Sequence, residues 1–132
     1  MLLVRSVYYS KATPGSDGSL NAILKASRDN NRALNITGAL VYDRGRFLQV
    51  LEGARPVVSG LLRRIAADPR HQAMTLAEFT EINARRYADW SMAYVDADAA
   101  AHPVRLTEYD AAPAEALLRQ VDLFLERAGI AA

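Results

Sequence analysis

Cysteine is absent from the 132-residue chain, which excludes disulfides, thiolate metal sites and cysteine nucleophiles together. Histidine is scarce as well, and two in the whole sequence argue against a zinc site. Charge of one sign is not in excess: the formal net charge is +1, with no basic stripe, which speaks against nucleic-acid binding. No apolar run approaches a membrane span, and the opening MLLVRSV is too short and too soon charged for a signal peptide. These absences point to a cytoplasmic protein with no membrane partner. Catalytic templates are missing too, with no G-x-S-x-G, P-loop or G-x-G-x-x-G. Glu52 with Glu78 or Glu81 would make a carboxylate pair, but nothing fixes the separation. RNA-stacking aromatics do not fall at the expected places on central strands. What remains, 51% hydrophobic and 23% charged, is the composition of one soluble domain with a real core.

Periodicity divides the chain into elements. Residues 2–10 alternate as a strand, with Val4, Ser6 and Tyr8 on one face and Arg5, Val7 and Tyr9 on the other. TPGSDGS is a loop that offers Ser16 or Asp17 as a helix cap. From about 19 to 31 the spacing turns helical, aligning Leu20, Ile23, Leu24, Ser27 and Asn31. ITGALVYDRGRFLQVLEG reads as a hairpin around Asp43-Arg44-Gly45, with Gly45 suited to a positive φ. Pro56 opens a second helix along Val58, Leu61, Leu62 and Ile65, which Pro69 closes. MTLAEFTEI and WSMAYV read as a fourth and fifth strand. The order βαββαββ predicts an α+β, ferredoxin-like sandwich: a five-stranded mixed sheet with two helices on one face. After Val95 a small-residue connector leads to a C-terminal helical extension, with Leu117, Leu118, Val121, Phe124, Leu125 and Ala128 on its apolar side. The expected division is 1–96 and 97–132, the second part packing on the sheet or on a partner subunit.

Within the hairpin, Gln49 interrupts an apolar stripe shared with Phe47 and Leu51. A buried primary amide left unpaired costs on the order of 1–3 kcal/mol, so Gln49 needs partners. Two helices over one sheet face leave a slot, and several polar groups point to it: Ser27, Asn30 and Asn31 from the first helix, Arg64 and Asp68 from the second, Arg70 and His71 beyond it, and Tyr8 and Gln49 from the sheet. Plainer readings exist for most. Tyr8 reads equally as a half-buried strand tyrosine, Asn30-Asn31 as a helix C-terminal pair, and Arg64–Asp68 as a solvated (i, i+4) ion pair. His71 reads as a loop residue, and Trp90 and Met92 as neighbours on one strand face. The residues alone support an α/β sandwich with an amide-rich slot.

Five separated stretches, RSVYYSKA, ILKASRDNN, ITGALVYDRGRFLQVLEG, RIAADPRH and RRYADWSM, occur in an order and spacing that resemble the BLUF family of flavin-binding blue-light sensors, from about Arg5 to Val95. The resemblance implies the same five-stranded fold with a flavin between two helices. It implies that Tyr8 is the photoactive tyrosine, that Asn31 holds the C4 carbonyl and N3 edge of the ring, and that Gln49 is the switching glutamine between them. Trp90 and Met92 match the mobile pair on the last strand, and Ile23 and Ile65 the aliphatic residues against the ring faces. Asn30, Arg64, Asp68, Arg70 and His71 match ring-edge, ribityl or phosphate contacts. The implied cofactor is FAD, with FMN possible.

The expectation is therefore a blue-light photoreceptor without enzymatic output, forming a homodimer or higher oligomer and signalling to a protein partner in trans. Two other readings stand beside it: an acylphosphatase-like hydrolase using Arg64 and Asn31, and a plain interaction module.

Overall fold

The computed structural model describes residues 2–13, 20–97 and 110–129, the side chains of 20–23 and 26 excepted. The cap expected at Ser16 or Asp17 lies outside the described residues. Five strands, β1 (Leu3–Ala12), β2 (Thr37–Asp43), β3 (Arg46–Ala54), β4 (His71–Ile82) and β5 (Ala93–Asp96), and three helices, α1 (Leu20–Ala33), α2 (Arg55–Ala67) and α3 (Ala114–Arg127), follow in the expected order. The sheet runs β4-β1-β3-β2-β5, antiparallel throughout except that β5 lies parallel to β2. The mixed ferredoxin-like sandwich is thus the observed fold.

Alternation assigns each strand residue to one of two cores. Val4, Tyr8, Phe47 and Leu51 join Leu24 of α1 and Val58 and Leu62 of α2. Val7, Leu48 and Val50 face the other way, against Leu117, Leu118, Val121, Phe124 and Leu125 of α3. All five of those α3 side chains are buried, each contributing roughly 1.5–3 kcal/mol of transfer free energy. The expected apolar position Ala128 is instead exposed beyond the helix end.

The hairpin turn needs two left-handed residues, not one. Arg44 has φ 50° and Gly45 φ 75°, the pattern of a tight two-residue turn whose twist matches its strands. At the end of α1 the left-handed residue is Asn35, φ 55°, so the helix runs past Asn30-Asn31 and leaves Asn31 free to face inward. Pro56 sits in the first turn of α2, where its missing N–H costs nothing.

Two strand boundaries differ from expectation. β4 begins at His71, so His71 is a strand residue rather than a loop residue. β5 begins only at Ala93, because the carbonyls just before it are taken by helix side chains: Asn31 Nδ2 donates to Ser91 O at 2.9 Å and Arg28 Nε to Met92 O at 3.1 Å. Trp90 and Met92 consequently do not share a strand face.

Gly38 in β2 lies where a Cβ would overlap the Val50 carbonyl oxygen of β3. Gly38→Ala should therefore destabilise the fold by roughly 1–3 kcal/mol or more, read as a lower midpoint in urea unfolding.

Candidate functional site

Between α1 and α2, above the sheet, lies a cavity of about 330 Å³. Its floor is a cross-strand row: Tyr8 of β1 opposite Gln49 of β3, and Gln49 opposite Leu40 of β2. Ser27, Asn30 and Asn31 line it from α1, Leu61, Arg64 and Ile65 from α2, and Phe47, Asp68, Arg70 and His71 close its end. The side chain of Ile23 lies outside the described residues. Every other expected pocket residue except Trp90 and Met92 borders this cavity.

Tyr8 and Gln49 are 1% and 6% exposed, and the Tyr8 hydroxyl donates to Gln49 Oε1. The other end of the amide, Nε2, donates to Met92 Sδ at 3.4 Å, a weak acceptor. Met92 therefore belongs to the cavity side. Trp90 does not: it packs at the edge of the α3-side core, its ring 6.4 Å from that of Tyr87. Asn31 is 2% exposed and commits one N–H to Ser91 O; the rest of its amide capacity borders the cavity.

Electrostatics at the closed end is set by one ion pair. Asp68 takes Arg70 Nε at 3.0 Å and Nη2 at 2.5 Å, and the Arg70 backbone N–H at 2.9 Å. The expected partner Arg64 instead stands exposed at the rim, because Arg70, two residues past the carboxylate, reaches it through both backbone and side chain. Those bonds hold the Asp68 carboxyl below its usual range. Burial pushes the Tyr8 phenol far above its usual value, and the Asp68 charge adds to that, so Tyr8 keeps its proton. His71 Nδ1 lies 2.8 Å from Ser10 Oγ and its ring 4.9 Å from Phe47. Burial lowers its pKa, against the opposing pull of Asp68.

Sequence reasoning missed Leu40, which only the β2–β3 register places beside Gln49, and the pocket roles of Phe47 and Leu61, whose faces it had read correctly as apolar. Glu52 is not half of a catalytic pair. Fully buried, it accepts Arg5 Nε at 2.9 Å and the backbone N–H groups of Arg86 and Tyr87 at 2.9 and 2.8 Å. Among the described residues, no acid or histidine cluster suits a metal ion, and no helix is long and apolar enough to cross a membrane.

The donor set fits an oxidised flavin. Such a ring presents acceptors at N5 and its two carbonyls and a donor at N3; the amides of Gln49 and Asn31 both donate and accept, while Leu40, Leu61 and Ile65 offer apolar area for the ring faces.

The family described as sensors of blue-light using FAD, BLUF, matches residues 3–93. The chain belongs to the BLUF family. It is 37% identical over 92 residues to photoactivated adenylate cyclase subunit beta of Euglena longa, covering 68% of this chain and 11% of that protein. Among solved structures it resembles BlrB, a BLUF protein in its dark state, at 39% identity and TM-score 0.70 over 74% of each chain. It also resembles BlsA in its photo-activated state, at 26% identity and TM-score 0.79, covering 93% of this chain and 94% of that one. The chain spans about a tenth of the length of the curated relatives it matches. What the BLUF proteins share is a flavin-binding blue-light sensor domain, and this chain is such a sensor. The hydrolase reading of Arg64 and Asn31 finds no support: one is exposed and the other is bonded to Ser91.

His71 yields a pH signature for this BLUF pocket. With its folded-state pKa below the ordinary 6.5, the unfolded chain binds the proton more readily, so stability is full above that value and declines as pH falls below it. NMR titration of the His71 ring should give a midpoint below 6.5, and His71→Asn should flatten the acid side of the stability profile.

Proposed function

We propose that the light response is a rearrangement of the hydrogen-bonded chain Tyr8–Gln49–Met92, with FAD as the flavin. The observation that carries this reading is that Gln49 is the one group placed between the Tyr8 hydroxyl and the cavity that both donates and accepts. The chemistry supplied by bound flavin is absorption of blue light and an excited state that is a strong oxidant. Tyr8 would be the electron donor, linked to the cavity through its bond to Gln49. Its phenol is protonated at any physiological pH, so the proton that must leave with the electron goes along its bond to Gln49 Oε1. Gln49 would rotate or tautomerise while the charges are separated, and electron and proton would then return to Tyr8, so the net change is the end the amide presents to each neighbour.

After a rotation, Oε1 would face the Met92 sulfur, two acceptors in opposition. Met92 is thereby displaced and the change leaves the pocket. Asn31 and Asn30 hold the ring edge, Ile65 one of its faces, and Ser27, Arg64, Asp68, Arg70 and His71 the ribityl and phosphate portion. The family's description as sensors using FAD supports FAD over FMN. Trp90, on the far face, acts by moving with Met92 and not by touching the flavin.

Residues 1–96 form the sensing unit and 97–132 the output segment. The relatives include photoactivated cyclases, and we assign this chain a cytoplasmic role with output to a protein partner in trans, from a homodimer or higher homo-oligomer. The purified protein should be yellow, and blue light should shift its absorption reversibly to the red. Tyr8→Phe and Gln49→Leu should keep the flavin and lose the shift; a normal photocycle in either variant overturns the assigned roles.

A further inference from the structure

The segment between β4 and β5, residues 83–92, is tied down at both ends by different elements. At its start, Glu52 of β3 accepts the backbone N–H groups of Arg86 and Tyr87. On α3, one carboxylate takes both of their side chains: Asp122 Oδ2 accepts Arg86 Nη2 at 2.6 Å, and Asp122 Oδ1 accepts Tyr87 Oη at 2.7 Å. At its end, Ser91 O accepts from Asn31, Met92 O from Arg28, and Met92 Sδ from Gln49. Residues 88–90 separate the two sets of anchors, and the last of them is held to β2, Trp90 O accepting the Gly38 backbone N–H at 3.2 Å.

We infer that Asp122 is a positioning residue for the light reaction: with Glu52 it clamps Arg86 and Tyr87, and through residues 88–90 it sets where Met92 stands against Gln49. The consequence is reciprocal. If holding Tyr87 biases the position of Met92, then displacing Met92 biases the hold of Asp122 on the loop by the same free energy. The clamp makes α3 the element that reads the state of Gln49. This rests on the Tyr8–Gln49–Met92 reading for its effect on the photocycle, but not for the clamp itself.

The three methionines of the chain permit a direct test. With 13C-methyl methionine, the Met92 signal in protein kept dark should move in Asp122→Ala and in Tyr87→Phe, the second of which keeps the buried ring. The Met74 signal should stay. Arg119→Ala, which removes an exposed pair with Glu115 on the same helix, should leave both unmoved. Dark recovery after blue light should change about fivefold or more in the two clamp variants. A Met92 signal unmoved in both clamp variants overturns the inference even where the photocycle is normal. Conversely, a Met92 signal that moves in protein showing no light response upholds the clamp and removes only the proposed photochemistry.

Discussion

The hydrogen bond between Tyr8 and Gln49 joins residues directly opposite each other on the adjacent inner strands β1 and β3, and the rest of the site is arranged around it. Both groups are buried, and either left unpaired would cost about 1–3 kcal/mol. Neither is positioned by its own side chain's preference. The β1–β3 ladder runs in unbroken register from Leu3↔Ala54 to Lys11↔Arg46, and a slip of one residue between the two strands would put phenol and amide on opposite faces. The apolar pattern of the whole sheet is therefore what brings phenol and amide together. β4 and β2 flank the pair and leave it no route to solvent except the cavity.

The same alternation gives the sheet two functionally different faces. One carries the cavity, the other the docking surface for α3. Within the continuous ladder each strand residue presents its side chain to one face only. The segment 83–92 is different: it has anchors on both faces and few backbone bonds of its own. Glu52 makes this possible. A carboxylate buried on the α3 side, paired with Arg5 and capped by two loop N–H groups, holds irregular backbone where a strand would otherwise be needed. Removing one partner of such a group would leave a buried charge uncompensated, which explains why the loop stays at one place on the sheet.

Much of this was legible in the residues. Alternation put Tyr8 and Gln49 on faces that the register shows to be one face, and Gln49 stood out because a buried amide cannot be bland. Helical spacing placed Ser27, Asn31 and Ile65 over the same slot. What escaped was decided by competition between elements, which a single strand or helix does not carry. His71 is drawn into β4 because its backbone pairs with Ala12 of β1. Ser91 and Met92 are kept out of β5 because Asn31 and Arg28 capture their carbonyls. Asp68 chooses Arg70 over Arg64 because one residue can supply backbone and guanidinium donors together. Glu52 read only as one half of a possible carboxylate pair, since two of its partners come from a loop more than thirty residues away.

The sulfur beside Gln49 bears on why this amide suits the proposed switch. A primary amide held at both ends by oxygen partners would have its orientation set by two full hydrogen bonds, each worth about 0.5–1.5 kcal/mol net. Here one end meets a phenol and the other a thioether, whose acceptance is weak. The orientation seen is favoured chiefly by the Tyr8 bond, and the far end contributes little that would resist reversal. A bias of about 1.4 kcal/mol is a tenfold change in population, so altering the partner at one end is enough to make the two orientations comparable. Met92 is also unbranched and mobile in its rotamers, which lets it leave without disturbing the packed core around it. An oxygen acceptor on a rigid strand at that position would have held Gln49 in place, and the buried pair would then be structural and nothing more.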